Sequence, residues 1–307
     1  MEKYDIIIVG AGPAGLTASV YAARANMKTL LLDKLAPGGN IVNTNEIANY
    51  VGTGVINGAE LAIKMFEQSQ ESGAAFDYRT VLDIEDHGDH KTVICEEDDA
   101  RYDATSVIIA SGMKPRRLRV PQEENFAGAG ISWCAICDGA QYAGQDVVVI
   151  GGGNSAVEES LYLAGIVNKL DIVTDFDLTA DPSACDKLRA MPNVRVHPYQ
   201  KVLGFLGDAT LAGVRIQPKD DSGPAVDIPC QGVFEYVGLT PISDFCKNLG
   251  ILNERGFIPV DAFMATSRKG IYAAGDITAK QLRQVATACG DGAIAAHNAA
   301  AYVDTVR

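Results

Sequence analysis

The chain has 307 residues, of which 47% are hydrophobic, and it carries a formal net charge of −13. This length predicts about two domains with sizeable cores, and the acidic balance argues against a nucleic-acid partner, since phosphates need a basic surface. No run of 18 or more apolar residues occurs, so no membrane span is expected. The start of the chain has no basic leader, and most of the seven cysteines are isolated, which predicts a cytoplasmic protein.

The chain opens on a pattern typical of a dinucleotide-binding fold. In order, it consists of a strand over Asp5–Val9, the motif Gly10-Ala11-Gly12-Pro13-Ala14-Gly15, a helix over Leu16–Ala25, a strand over Lys28–Leu32, and Asp33. Gly10 permits the tight turn, Gly12 lets the backbone approach a pyrophosphate, and Gly15 lets helix and strand pack closely. Asp33 stands where an acid can accept hydrogen bonds from a ribose.

The same pattern returns 141 residues later, which makes it an internal repeat. Its parts are a strand over Asp146–Ile150, the motif Gly151-Gly152-Gly153-Asn154-Ser155-Ala156, a helix over Val157–Ala164, and a strand over Lys169–Val173. The repeat predicts an α/β protein with two Rossmann-like, three-layer nucleotide-binding domains. Between the repeats, Lys114–Gln122 carries two prolines and interrupts the first domain, and its arginines Arg116, Arg117 and Arg119 are expected to face solvent.

Two further segments are candidate cofactor contacts. Ser106–Gly112 is a predicted buried strand that ends at a glycine, and Gly270–Asp276 is another that ends in Gly-Asp. Asp276 can bond a ribityl hydroxyl or a pyrophosphate-bound water, but it can also cap a helix. An alanine-rich helix is predicted from Arg283 to about Tyr302, with its positive N-terminal end available to an electron-rich flavin edge.

The segment Cys134-Ala135-Ile136-Cys137, followed by Asp138, carries the redox hypothesis. Two thiols at this spacing can close a small disulfide ring and pass two electrons by thiol–disulfide exchange. A zinc site would need four ligands, but the sequence has no second such pair and only four histidines. An inert buried pair is a second alternative. Redox chemistry is favoured because the pair lies beside two dinucleotide units.

These motifs together resemble the low-molecular-weight thioredoxin reductases along nearly the whole chain. The matching pieces are Gly10–Gly15, Cys134–Gly139, Gly151–Ala156, Gly275-Asp276 and Arg283-Gln284-Val285. The resemblance implies an FAD-binding domain made of residues 1–117 and 246–307, with an inserted pyridine-nucleotide-type domain, 118–245, that holds the cysteine pair. It also implies a homodimer in which electrons pass through FAD and the Cys134–Cys137 disulfide to a thioredoxin-like protein.

The resemblance also assigns roles to individual residues. Cys137 would face the flavin, Cys134 would attack the thioredoxin disulfide, and Asp138 would be the acid/base for the thiol protons, although it also fits a simple turn residue. The implied FAD contacts are Gly10, Gly12, Pro13, Ala14, Gly15, Asp33, Lys34, Gly39, Asn40, Asn49, Gly112, Gly275, Asp276, Arg283, Gln284 and Val285. No metal is expected.

The sequence departs from this family at the second nucleotide strand. The family has a basic motif there for the 2′-phosphate of NADPH, whereas this chain has Thr174-Asp175-Phe176-Asp177, with no Lys or Arg between Lys169 and Lys187. A 2′-phosphate beside Asp175 would meet like charge, at a cost on the order of several kcal/mol. NADPH is therefore the least favoured donor.

Three explanations of the donor stay open. NADH is one, with its 2′-hydroxyl on Asp175 and its other contacts on Gly151, Gly153, Asn154, Ser155 and Ala156. A non-pyridine donor such as ferredoxin is the second, and a cation supplied from elsewhere in the chain is the third. The function has alternatives too: a flavin-dependent thiol oxidase that runs the same cysteines in reverse, or a non-catalytic flavin redox sensor.

Overall fold

The computed structural model describes residues 2–44 and 47–307, so that Met1, Asn45 and Glu46 lie outside the description. Its strands are β1 (Glu2–Val9), β2 (Thr29–Asp33), β3 (Ala75–Tyr78), β4 (Val81–Asp86), β5 (Lys91–Cys95), β6 (Arg101–Ile109), β7 (Met113–Pro115), β8 (Ile131–Ser132), β9 (Asp146–Ile150), β10 (Lys169–Thr174), β11 (Val194–Pro198), β12 (Gln200–Gly207), β13 (Leu211–Pro218), β14 (Val226–Pro229), β15 (Gly232–Glu235), β16 (Leu239–Pro241) and β17 (Ile271–Ala273). Its α-helices are α1 (Pro13–Arg24), α2 (Gly58–Glu71), α3 (Glu123–Phe126), α4 (Ala135–Asp138), α5 (Asn154–Ala164), α6 (Pro182–Arg189) and α7 (Val285–Val306).

The chain divides into two compact units. The first contains the residues up to Lys114 together with Thr240–Arg307, and the second contains Pro115–Leu239. The two connecting segments, β7 and β16, pair with each other as a two-stranded sheet. The predicted limits after residues 117 and 245 fall a few residues later than these boundaries, and the assignment of each unit to a cofactor stays a prediction.

The first unit is built on a seven-stranded sheet in the order β3-β2-β1-β6-β5-β4, with β17 also paired to β6. Its central strand β1 runs parallel to both β2 and β6 and is buried on both faces. Ile6 and Ile8 pack into a core that contains residues of α1 and α7, whereas Ile7 and Val9 pack into a second core on the other face. The sheet therefore forms the middle of three layers.

The second unit has a parallel sheet in the order β11-β10-β9-β15-β8. On one face, Val147 and Val149 of β9 pack with residues of α5 and α6. On the other face, Val148 and Ile150 pack with residues of the antiparallel β12-β13-β14 sheet. The predicted α/β class with two Rossmann-like units is confirmed.

Two elements differ from the sequence prediction. β6 begins at Arg101 and ends at Ile109, whereas the predicted strand ran from Ser106 to Gly112, and Ser106 lies within β6 with its hydroxyl donating to the Gly270 carbonyl at 2.9 Å. Helix α7 begins at Val285 rather than Arg283, since Gln284 and Thr287 form a capping box there. None of the helices in the described part of the chain has the length and apolar character needed to cross a bilayer.

Candidate functional site

The first glycine motif forms the turn between β1 and α1. Gly10 has φ +106°, and a Cβ on Gly15 would lie 1.8 Å from the carbonyl oxygen of Gly10, so only glycine fits there. The Asp33 carboxylate holds this turn, because its Oδ2 accepts the Ala11 N–H at 2.7 Å and its Oδ1 accepts the Leu35 N–H at 3.0 Å. Each oxygen keeps a lone pair that a ribose hydroxyl can use.

The C-terminal part of the chain packs against the same turn. A Cβ on Gly292 of α7 would lie 2.2 Å from the Ala14 carbonyl oxygen, and one on Gly275 would lie 2.8 Å from the Ala14 Cβ. Asp291 fixes this region, since its Oδ2 accepts the Gly275 N–H at 3.0 Å and pairs with Lys280 Nζ at 2.5 Å. The sequence did not point to Asp291, because its partners Gly275 and Lys280 are 16 and 11 residues away in the chain.

Asp276 offers a test of whether these residues fit a flavin cofactor. Burial raises the pKa of its carboxyl, and the side chain accepts no hydrogen bond within residues 2–44 and 47–307. It does not cap α7, whose cap is Gln284 with Thr287. The carboxyl is half-buried and is open to a donor from outside the protein, and a ribityl hydroxyl has the right chemistry. The site therefore fits FAD at this position.

The other predicted FAD residues lie in the same unit, and several of them contact one another or neighbouring residues. A Cβ placed on Gly39 would lie 3.1 Å from Gly12 Cα. Asn49 Nδ2 donates to Gln284 Oε1 at 3.0 Å, and Val285 packs near Ile41. Arg283 donates from Nε to the Asp276 carbonyl, Asn40 donates to the Met113 carbonyl, and Pro13 begins α1. Lys34 is exposed, and Gly112 has open space around its Cβ position.

The two cysteines of the second unit form a disulfide. Cys134 is half-buried at the end of a segment that follows β8, and Cys137 is exposed on the short helix α4. The Cys137 N–H donates to Cys134 Sγ at 3.1 Å, a contact that would stabilise a Cys134 thiolate after reduction. No cluster of three or more His, Cys, Asp or Glu side chains suited to a metal occurs among the described residues.

Asp138 is linked to the cysteine pair through Ser132. The Ser132 hydroxyl donates to Asp138 Oδ2 at 2.6 Å and accepts the Cys134 N–H at 3.1 Å. The Asp138 N–H also donates to the Cys134 carbonyl at 3.1 Å. A carboxylate held this close to the disulfide can exchange protons with the thiols, which a turn residue facing away could not.

A buried carboxyl and a phenol lie behind α4. The Tyr236 hydroxyl accepts the Ala135 N–H at 3.0 Å, and burial raises the pKa of that hydroxyl. Burial also raises the pKa of Glu159 to about 7, although hydrogen bonds from Tyr236 and from the Ala135 amide oppose the shift. Sequence reasoning identified neither Glu159 nor Tyr236, because nothing local marks them.

Trp133, the residue before Cys134, is anchored by a second buried carboxyl. Its indole Nε1 donates to Glu235 Oε2 at 2.9 Å, and the Arg117 guanidinium carbon lies 3.6 Å from the centre of the indole ring system. Arg117 was predicted to face solvent, and this is wrong because its guanidinium stacks on the indole. Glu235 is only 1% exposed, and burial, followed by the nearby Glu123 carboxylate, raises its pKa to about 8.

Replacing Glu235 with glutamine should remove a pH dependence of stability. The carboxyl is protonated in the fold at neutral pH but has an ordinary pKa of about 4.3 when unfolded. The wild type should therefore lose stability relative to Glu235→Gln as the pH rises from about 4.3 to about 8, by up to about 1.4 kcal/mol per pH unit. Urea unfolding of both proteins at about pH 5 and about pH 8 checks this. Parallel pH profiles would contradict it.

The second glycine motif is built like the first but is partly covered by its own chain. Gly151 has φ +134°, whereas a Cβ on Gly153 would meet open space. The segment after β10 folds back here, since the Thr179 N–H donates to the Gly152 carbonyl at 2.7 Å and the Asp181 N–H donates to Asn154 Oδ1 at 3.1 Å. The side-chain amide oxygen of Asn154 therefore already accepts a hydrogen bond from the protein backbone.

The acidic corner at the end of β10 does contain cations. Lys219 Nζ lies 3.7 Å from Asp175 Oδ2 and 3.8 Å from the centre of the Phe176 ring, and Arg189 pairs with Asp177. Lys219 follows β13 and is 44 residues from Asp175, so inspection of the segment between Lys169 and Lys187 could not find it. Both of these cations are already paired with carboxylates.

The chain matches the family model described as pyridine nucleotide-disulphide oxidoreductase over residues 4–292. It is 40% identical to a thioredoxin reductase of Bacillus subtilis, with 99% of this chain and 96% of that protein covered. The crystal structure of the Lactococcus lactis thioredoxin reductase is also 40% identical and superposes with a TM-score of 0.94, covering 98% of this chain and 99% of that one.

A more distant match is the crystal structure of a ferredoxin-flavin thioredoxin reductase from Clostridium acetobutylicum. It is 27% identical and has a TM-score of 0.56, with 100% of this chain and 99% of that one covered. All of these matches span nearly the full length of both proteins. The chain belongs to the pyridine nucleotide-disulphide oxidoreductase family, within its thioredoxin reductase branch.

Proposed function

We propose that this protein is an FAD-dependent thioredoxin-disulfide reductase, which passes two electrons from a reduced flavin through Cys134 and Cys137 to the disulfide of a thioredoxin-like protein. The observation that carries the proposal is the Cys134–Cys137 disulfide with the exposed Cys137, in a chain that is 40% identical to thioredoxin reductases over nearly its whole length. A homodimer, as the resemblance implies, is part of the proposal.

The roles of the three reacting side chains follow from their surroundings. Cys134 is the nucleophile toward the partner disulfide, since its sulfur accepts the Cys137 N–H and would be stabilised as a thiolate. Cys137 is the thiol that exchanges electrons with the flavin. Asp138, linked to the Cys134 backbone through Ser132, is the acid/base that exchanges protons with the thiols.

FAD would be held by the first unit. The Gly10–Gly15 turn and the start of α1 would receive the pyrophosphate, Asp33 would accept from the ribose, and Asp276 would accept from a ribityl hydroxyl. When bound, FAD supplies the two-electron chemistry that links the donor to the disulfide. The protein's own contribution is to place the thiols and manage their protons.

The electron donor is NADH or a non-pyridine donor such as ferredoxin, and not NADPH. Asp175 is exposed at the end of β10, where an acid suits a 2′-hydroxyl, and Lys219, the cation beside it, is already paired with it. A 2′-phosphate would have to displace that pair and would still face the carboxylate. Ferredoxin stays a candidate because a ferredoxin-flavin thioredoxin reductase matches the full chain.

Rapid-mixing reduction of the flavin by NADH, NADPH and reduced ferredoxin tests the donor. We expect NADPH to be slower than the effective donor by about a hundredfold or more, given the like-charge contact. Replacing Asp175 with asparagine should release Lys219 and raise the NADPH rate about tenfold if the nucleotide site is in use. Asp208→Asn is the matched control, because Asp208 lies in the turn between β12 and β13, at the far end of this hairpin from Lys219.

The outcomes separate the two candidate donors. Flavin reduction by NADH identifies the nucleotide site as functional. Reduction by ferredoxin alone, together with no change in the NADPH rate in Asp175→Asn, identifies the non-pyridine donor. Fast reduction of the wild type by NADPH would contradict the proposal on the donor. A thioredoxin disulfide that is not reduced with any of the three would contradict the proposed activity itself.

A further inference from the structure

A cluster of polar side chains, formed by Glu235, Glu123 and Arg117, surrounds Trp133, the residue before Cys134, and takes no part in the steps above. We propose that Glu235 is a positioning residue for the redox-active disulfide, acting through the indole of Trp133 to hold the segment that carries Cys134. The catalytic meaning of this inference rests on the proposed function. The property that it predicts, the reduction equilibrium of Cys134–Cys137, can be measured without any donor or partner protein.

The strand register places the two residues side by side. β8 and β15 are parallel, with Ile131 paired to Val233 and Ser132 paired to Phe234. The next residues, Trp133 and Glu235, therefore lie side by side, with Glu235 still paired to Ile150 of β9, and the indole N–H reaches the carboxyl at 2.9 Å. The chain then continues directly to Cys134. The hydrogen bond between Trp133 and Glu235, the Trp133–Glu235 tie, therefore fixes one end of the disulfide segment.

The tie is enclosed by other buried groups. The Arg117 guanidinium covers the indole face at 3.6 Å. Glu123, which is 1% exposed, accepts the N–H groups of Leu118 and Arg119 and lies beside Glu235. Burial, followed by the proximity of Glu123, raises the pKa of Glu235, which leaves Glu235 a neutral group with one oxygen accepting from the indole.

Two buried polar atoms lie in this cluster, Arg117 Nη1 and Glu235 Oε1. The proton on Glu235 gives its carboxyl a hydrogen-bond donor for the neighbouring Glu123. Burying such polar groups is costly, and apolar side chains would fill the same space without that cost. The other oxygen of the Glu235 carboxyl accepts from the indole of Trp133, the residue beside Cys134.

Reduction and reclosure of the disulfide depend on how well the two sulfurs are held. A dithiol reductant gives two electrons and becomes a disulfide, while the Cys134–Cys137 bond breaks and each sulfur gains a proton or stays a thiolate. When Cys134 is fixed through Trp133, its sulfur stays close to Cys137 and reclosure is favoured. Loss of the tie should make the disulfide easier to reduce by about tenfold in equilibrium constant, or about 30 mV.

The experiment titrates the FAD-loaded protein with mixtures of reduced and oxidised dithiothreitol and counts free thiols by alkylation. Trp133 is the single tryptophan, so its fluorescence reports the same equilibrium at the proposed tie. Glu235→Leu and Trp133→Phe should each shift the midpoint about tenfold toward easier reduction, and the double variant should shift no further. Glu235→Gln keeps an acceptor for the indole and should stay at the wild-type midpoint.

Asp171→Asn is the matched control for the loss of a buried carboxylate. Asp171 is 2% exposed in β10 of the same unit and pairs with Lys169 and His197, away from the disulfide segment, so this variant should keep the wild-type midpoint. If Glu235→Leu does not fold, Glu235→Met tests the same loss of the acceptor.

An unchanged midpoint and unchanged fluorescence in the leucine or methionine variant would overturn the proposal. So would a glutamine variant that shifts as far as the leucine variant. A protein that shows the expected midpoint shifts but reduces no thioredoxin would instead contradict the proposed function, so the two failures are distinguishable.

Discussion

Replacing Cys134 or Cys137 with serine should lower kcat/KM for a thioredoxin disulfide by at least about a thousandfold. Neither sulfur can act alone, because one must attack the partner disulfide and the other must then close the ring and release the product. Flavin content should be unchanged, since the predicted FAD residues all lie in the other unit. A coupled assay with any effective donor, alongside the flavin absorbance, measures both properties.

The two serine variants should also differ from each other. We expect Cys134→Ser to leave Cys137 as the thiol that meets the flavin and to show long-wavelength absorbance from a thiolate–flavin contact. Cys137→Ser should lack this absorbance. Cys185→Ala is the control, because Cys185 is a free, buried cysteine on α6 of the same unit. Normal turnover by either serine variant would exclude the disulfide from the reaction. Long-wavelength absorbance in Cys137→Ser but not in Cys134→Ser would mean that Cys134, and not Cys137, is the thiol that meets the flavin.

The local parts of this architecture could be predicted from the sequence. The Gly10–Gly15 turn, its flanking strand and helix, and their repeat at Gly151 are contiguous patterns whose geometry is fixed by nearest neighbours. The disulfide between Cys134 and Cys137 belongs with them, because two residues of separation already bring the sulfurs within reach. In each case the residues that decide the structure are adjacent in the chain.

The residues that were missed come from distant parts of the chain. Lys219 reaches Asp175 only because β13 ends beside the end of β10, and Glu235 reaches Trp133 only because β15 pairs with β8. Strand order is a tertiary property that no spacing reveals. For the same reason Arg117 was misassigned: a cluster of arginines predicts a solvated face unless an aromatic ring from another segment lies against one of them.

Replacing Gly15 with alanine should abolish FAD binding. The new Cβ would lie 1.8 Å from the Gly10 carbonyl oxygen, well inside contact distance, and the contact is with backbone that cannot move without opening the turn. We expect loss of the yellow colour on purification and a loss of about 3 kcal/mol or more in the free energy of unfolding, as for other overpacked or strained core sites. Flavin absorbance per protein and urea unfolding measure these two effects.

Gly290→Ala in α7 is the matched control for this glycine substitution. A Cβ at Gly290 meets no atom within 4 Å, so alanine should be neutral or should stabilise the helix by about 0.5–1 kcal/mol, with full flavin content. Because both variants add one methyl group, a difference between them isolates the close approach at the turn from any general effect of replacing glycine. A Gly15→Ala protein that kept its flavin and its stability would mean that the turn between β1 and α1 is not the phosphate-binding turn, and the assignment of FAD to the first unit would fail with it.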